Sequence, residues 1–585
     1  MPVDIQIVSK LLVHLGLTNP VLEVLKPNDQ SYRALLLQPA GPILADQQRI
    51  GPLDLAKADQ RSRMLLTLAR ERGDHLVVTP EYFLPISTLK FCVESDVFPA
   101  PGALWVLGCE SMTPAQLNEF KQAAPDDCNV IFEPDETAIV QGVYYDPIAF
   151  CFVTKNAAGT YKRVVLFQFK MRASRDEHFF ENKHLRVGSV VYQFKGEDSL
   201  LSLSAIICSD AFAIVEDEAV RQKLTDRSTL IHIQLNPDPR HVDYRKYRTE
   251  TFSKSWELTN CDIICLNWAQ NIVQCDSPDD VGKNWSNIGG SAWYLPSKRC
   301  STKDHEVVSN ECKGLYYTHL KSRRRHVLLF HYDEAVFGLT VPKIVQTGPG
   351  VLDNNLGPQL DARFTWSEGD SSWAENHSIP DTGLSTLLAH DKDTESAFAT
   401  LKGAESLLCV ERAVSLSCGP DQIEESWHEV DHLDFCRMRD DEIVPRTTFC
   451  LDKIPEAETA RHERIQKVVA LNNILAKETL PRQIRDLAGG GTTVAWRADC
   501  PNTNVFKVGS KPALVAFLGM QPMPSRLKNL ADAAFELLRL ENADHKFRVA
   551  VCYRKADGSA VFAEIKALTD ITYDGGSMTN ITGGA

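Results

Sequence analysis

From Ser31 to about Ile344 the chain alternates short, β-rich apolar runs with longer segments at helical spacing, and this alternation constrains the fold more than any other feature. YRALLLQP (32–39) reads as a strand, and Leu55, Ala58, Leu65, Leu68 and Ala69 then recur at helical spacing in a polar segment. HLVVT (75–79) follows, apolar and closed by Pro80. The same style returns in LWVLG (104–108), YYDPIAFCFVT (144–154), RVVLFQF (163–169), LLSLSAIIC (200–208), LIHIQLN (230–236), CDIICLNW (261–268), GSAWYL (290–295) and HVLLFHYD (326–333). Between two of these runs, 244–260 is long enough for a helix. Strands covered by helices on one face and by a second sheet on the other suit this pattern, so the expected class is layered α/β.

Composition narrows the partners. The 585 residues are 43% hydrophobic and 24% charged, a globular composition with material for one large core and a smaller second one. A net charge of −14 argues against general affinity for nucleic acid or anionic membranes. No apolar run is long enough to span a bilayer, and MPVDIQIVSKLLVHLGLTNP lacks the pattern of a secretory signal. Sixteen cysteines occur without a CxxC pair, several inside apolar runs, as Cys151 and Cys265 do; reduced thiols in a cytoplasmic protein are the expectation.

Four regions are expected. Residues 1–30 form an N-terminal extension and 31–344 the alternating α/β domain. Residues 345–384, rich in Gly, Pro, Asp, Asn and Ser, read as a linker or wrapping arm. Residues 385–585 read as a smaller α+β region, with an amphipathic helix over 526–543 and a hairpin turning at Ala556-Asp557-Gly558.

Three polar residues stand where apolar strands end: Glu81 after HLVVTP, Lys170 after RVVLFQF and Cys208 after LLSLSAII. In layered α/β folds such strand ends converge on one crevice. A thiol there is a nucleophile, a carboxylate its base, and an ammonium a partner for the thiolate or a developing oxyanion. Taken singly, each has an ordinary structural reading: buried thiol, loop carboxylate, solvated strand-end charge. Their joint placement is what points to chemistry.

With their flanks, these residues resemble the nitrilase superfamily of carbon–nitrogen hydrolases. The motifs are HLVVTPEYFLP with Glu81, FQFKMRASRDEHFFEN with Lys170 and Glu177, and SAIICSDAF with Cys208 and Asp210, echoed by LIHIQLNP, CLNWAQN and IGGSAWYLPSK. The resemblance covers about residues 31 to 344. It implies a four-layer α-β-β-α sandwich and a Glu81–Lys170–Cys208 triad that opens a C–N bond through a thioester. It also implies supporting roles for Glu177, Ser209 and Asn236, no cofactor and no metal, an amide rather than a nitrile substrate, and a homo-oligomer. CSDAFAI departs from common subfamily forms of the third motif, which leaves the substrate class open.

Other signals receive other readings. HEVDH (428–432) matches HExxH, but its acidic surroundings offer no third ligand, so it reads as a solvated helix face, with a zinc peptidase as the weaker alternative. KSRRRH (321–326) lacks the aromatic residues of a nucleic-acid groove. A second function class is a nitrilase-like module of a larger, defence-related assembly, with 385–585 binding a protein partner.

Overall fold

A computed structural model describes residues 3–26, 31–133, 142–174, 180–196, 201–237, 357–378, 413 and 416–417, and parts of 244–343 and 466–564. The fold is mixed α/β, in two compact units: the first comprises residues 1–380 with 438–446, and the second the remainder of 381–585.

Among the described residues, the first unit has a nine-stranded and an eight-stranded sheet. Its strands are β1 (Asp4–Ile7), β2 (Tyr32–Gln38), β3 (Pro42–Ala45), β4 (Ile50–Pro52), β5 (Leu76–Leu84), β6 (Leu104–Cys109), β7 (Cys128–Ile131), β8 (Pro147–Lys155), β9 (Tyr161–Phe169), β10 (Val190–Lys195) and β11 (Ser202–Ile207). They continue with β12 (Ser228–Ile233), β13 (Asp262–Leu266), β14 (Val273–Cys275), β15 (Lys283–Asn284), β16 (Ala292–Pro296), β17 (Leu315–Leu320), β18 (Arg325–Phe330), β19 (Ala335–Val341), β20 (Gln359–Ser367) and β21 (Ser372–Glu375). The larger sheet runs β21-β20-β19-β2-β5-β6-β8-β9-β7, the smaller β1-β10-β11-β12-β13-β16-β18-β17, and β15-β14-β3-β4 form a side sheet. Each large sheet has a parallel triplet at its heart, β2-β5-β6 in one and β11-β12-β13 in the other.

The two large sheets meet. Gln168 of β9 donates to the Ala205 carbonyl at 2.8 Å and accepts from the Tyr192 amide at 2.9 Å, so one side chain joins it to β10 and β11. Phe150 and Phe152 set their rings 5.2 and 5.4 Å from Phe194. Helix α1 (Val8–His14) packs on β10. α2 (Leu55–Arg72) starts at Asp54, whose side chain accepts from the Lys57 amide, and stops at Gly73, whose φ of 64° is left-handed. It buries Ala58, Leu65, Leu66 and Ala69 and packs on β5 and α3 (Ile86–Glu94). α4 spans Pro114–Ala123, α5 is a single turn at Glu181–His184, and α6 (Asp210–Glu216) and α7 (Glu218–Thr225) lie against β11. β5, covered on both faces, is buried along its whole length.

Two expected boundaries change. Residues 1–30 are not a mere extension, because β1 pairs in parallel with β10. Nor are 345–384 simply a linker: β20 and β21 extend the nine-stranded sheet, burying Leu360, Ala362, Phe364 and Trp373. Pairing to β19 gives this polar segment the hydrogen bonds and apolar cover that its own sequence lacks. The expected helix over 244–260 lies almost wholly outside the described residues, as does HEVDH.

In the second unit, β22 (Thr493–Val494) pairs with β23 (Val505–Phe506). β24 (Leu514–Met520), β25 (Val549–Arg554) and β26 (Ala560–Phe562) form a sheet on which α8 (Pro524–Glu541) packs. The β25–β26 hairpin and this helix fall where periodicity places them.

Candidate active site

Glu81 lies within β5, where the expected strand end proves to be a bulge. Pairing to β6 slips between Thr79 and Leu84, and Tyr82 has a left-handed φ of 58°. Gly108 makes room for this: a Cβ there would collide with the Pro80 carbonyl and with Ile233 of β12 in the other sheet. Glu81 is thereby buried between the sheets, accepting a short hydrogen bond from the Leu235 amide and, through its carbonyl, one of 2.8 Å from the Trp268 indole.

Lys170 follows β9 directly and is 1% exposed, so its ammonium cannot be solvated. It donates to Glu81 Oε1 at 2.7 Å and Glu181 Oε1 at 2.8 Å, with Asp146 Oδ2 at 3.5 Å. Glu181 also accepts from the Tyr82 hydroxyl at 2.8 Å and the Ser174 amide at 2.6 Å. Burial works against charge on Lys170, but Glu181, Glu81, Cys208 and Asp146 outweigh it and hold the ammonium well above the usual lysine range. Burial, only partly offset by Lys170, raises Glu81.

Cys208 follows β11 directly, with a strained left-handed φ of 37°. Its amide donates to the Ile233 carbonyl at 2.9 Å, and His232 Nε2, with Gln234 at its other nitrogen, lies 2.9 Å from the Cys208 carbonyl. The sulfur is 3.1 Å from the Tyr244 hydroxyl. Burial and then the Glu81 charge push the thiol well above its usual range, against the pull of Lys170. The resting sulfur is therefore a thiol, and attack requires a base to take its proton as the bond forms.

The loops after β9 and β11 are tied together. Asp210 accepts from the Met171 and Arg172 amides at 2.8 and 3.0 Å, and Ser209 donates to the Arg172 carbonyl at 2.5 Å. Burial raises Asp210 to about 7 despite Lys170 and those amides. Ser209 thus spends its hydroxyl on the backbone. The Asn236 amide donates to Asn267 Oδ1, and Asn267 Nδ2 returns a bond to the Asn236 carbonyl, both at 3.0 Å, clamping the loops after β12 and β13. Glu177 lies outside the described residues; the glutamate found on the lysine is Glu181.

Sequence reasoning missed Asp146, Tyr82 and Tyr244. An aspartate heading the apolar run PIAFCFV was the available signal for Asp146; nothing local marks the two tyrosines. The oxygens of Glu81, Asp146 and Glu181 lie within 4.8 Å of one another, and the ammonium of Lys170 lies within 3.5 Å of all three groups. The described cysteines are free thiols, and no described helix is long and apolar enough to cross a membrane.

No protein-family model and no curated protein matches the chain. Solved structures of nitrilase-superfamily proteins match about half of it. The amidase from Nesterenkonia sp. is 12% identical, with 54% of this chain and 92% of that one covered and a TM-score of 0.29. A CN-hydrolase superfamily protein from Xanthomonas campestris is 12% identical, covering 45% of this chain and 82% of that one at a TM-score of 0.25. The glutamine-dependent NAD+ synthetase from Acinetobacter baumannii is 14% identical, with 55% of this chain covered and a TM-score of 0.30; the chain spans 49% of its length.

Proposed function

We propose that the first unit is a cysteine-dependent hydrolase of the nitrilase type, acting on the C–N bond of a small amide. The observation that carries this reading is the buried Lys170 ammonium held between Glu81 and Glu181, in electrostatic reach of a thiol on a strained strand end. Cys208 attacks the carbonyl carbon while Glu81 takes the thiol proton, and Lys170 stabilises the oxyanion. Glu81 returns the proton to the leaving ammonia or amine, then activates the water that opens the thioester. Each step is balanced by one proton moving on and off Glu81, and none requires a cofactor.

In the same reading the architecture is a four-layer sandwich, with the two large sheets inside and α2–α3 and α6–α7 outside. The protein is cytoplasmic and homo-oligomeric, and the second unit, folded but without a chemical constellation among its described residues, serves as an interaction or assembly region. Intact-mass measurement after exposure to a panel of short amides should show an acyl adduct confined to Cys208. An adduct elsewhere, or none with any amide that the protein consumes, would overturn the mechanism.

A further inference from the structure

Three carboxylates crowd one ammonium. Glu81, Asp146 and Glu181 are buried around Lys170, and full ionisation would leave two uncompensated negative charges on side chains almost wholly buried. At least one proton must therefore reside among the three.

The hydrogen bonds indicate where. Glu181 accepts from Lys170, Tyr82 and the Ser174 amide, and Glu81 from Lys170 and the Leu235 amide, so both are served as anions. Asp146 is fully buried, and neither of its oxygens accepts a hydrogen bond among the described residues; Lys170, at 3.5 Å, is a distant ion pair. A buried carboxylate without donors is costly, whereas a carboxylic acid needs only an acceptor, and Glu81 lies within hydrogen-bonding reach.

We propose that Asp146 carries the proton the three carboxylates must share, donating it to Glu81 and so fixing the charge and orientation of that base. This rests on reading Glu81 as the base for Cys208. Asp146 touches neither thiol nor substrate, which makes it a positioning residue. When Glu81 takes the thiol proton the cluster holds two protons, and when Glu81 passes one to the leaving group it returns to one, with Asp146 keeping its own throughout. The groups facing Asp146 are Glu81 and Tyr82 of β5, Cys109 of β6, Tyr144, Lys170 and Glu181. Burial keeps Tyr82, Cys109 and Tyr144 neutral, so the charges that act on it are Glu81, Glu181 and Lys170.

Infrared spectra of the full chain at about pH 9, where Asp210 has lost its proton, test this without relying on turnover. A protonated-carboxyl band is expected that shifts when aspartate is labelled with carbon-13 in its side chain, disappears in Asp146→Asn and persists in Cys208→Ala. Iodoacetamide labelling of Cys208 should keep its midpoint in Asp146→Asn, because a neutral amide that can donate to Glu81 replaces a neutral acid that does so. A band that shifts with labelled glutamate instead, or that survives Asp146→Asn, overturns the proposal, as does a midpoint lowered by about one pH unit, which would show an ionised Asp146. If Asp146→Asn does not fold, the isotope shift in the wild-type chain decides. A band on aspartate in a chain that hydrolyses no amide would count against the hydrolase reading alone.

Discussion

The two large sheets of the first unit share a parallel triplet yet hold their candidate groups by different means. On the nine-stranded sheet, Glu81 and Lys170 are fixed through their side chains, by ion pairs and by a hydrogen bond from the Leu235 amide to Glu81. On the eight-stranded sheet, Cys208 is fixed by its backbone, through a left-handed φ, a bond to Ile233 and the neighbouring ties of Ser209 and Asp210. Charge is the reason for the difference. A buried ammonium or carboxylate must be paired to exist there, whereas a thiol is small and neutral and needs only to be aimed. Losing a group from the first sheet should therefore damage structure, and losing Cys208 should damage chemistry alone.

Cys208→Ala is the sharpest form of that comparison. Amide turnover should fall by at least about 10⁴-fold with the melting temperature essentially unchanged, as kinetics beside calorimetry would show. Substantial residual turnover would remove Cys208 from the mechanism. Lys170→Ala should do the reverse in kind, leaving Glu81 and Glu181 buried without their cation and destabilising the unit by about 3–5 kcal/mol in denaturant titration. A variant as stable as the parent would show that ion pairing does not hold this sheet's groups.

The sheet edge offers a third test. A chain ended at residue 344 loses β20 and β21, uncovers β19 and deprives the Arg61 carbonyl of the Trp373 indole that donates to it. It should aggregate or melt earlier, whereas a chain ended at residue 380 should not. Equal melting of the two would make the added strands dispensable.

The smallest effect concerns pH. The folded chain holds the Asp210 proton more tightly than the unfolded one, since burial raises Asp210 to about 7. Its contribution to stability is thus full below about pH 4 and is lost as pH rises through 7. Asp210→Asn should flatten that part of the melting-temperature profile; an unaltered slope would assign it to other groups.

The chain's own pattern determined the strand-end positions of Lys170 and Cys208, the nearby acid Glu81, the α8 helix and the β25–β26 hairpin, because alternation, helical spacing and turn residues are local properties. Only the tertiary structure decided that Glu81 sits on a bulge, that Glu181 and Asp146 join Lys170, and that Tyr244 lies on the sulfur. It also decided that β1, β20 and β21 complete the sheets. These depend on pairings between residues far apart in sequence, such as Glu81 with Lys170 or β1 with β10, and local periodicity carries no record of which distant strand will be a neighbour.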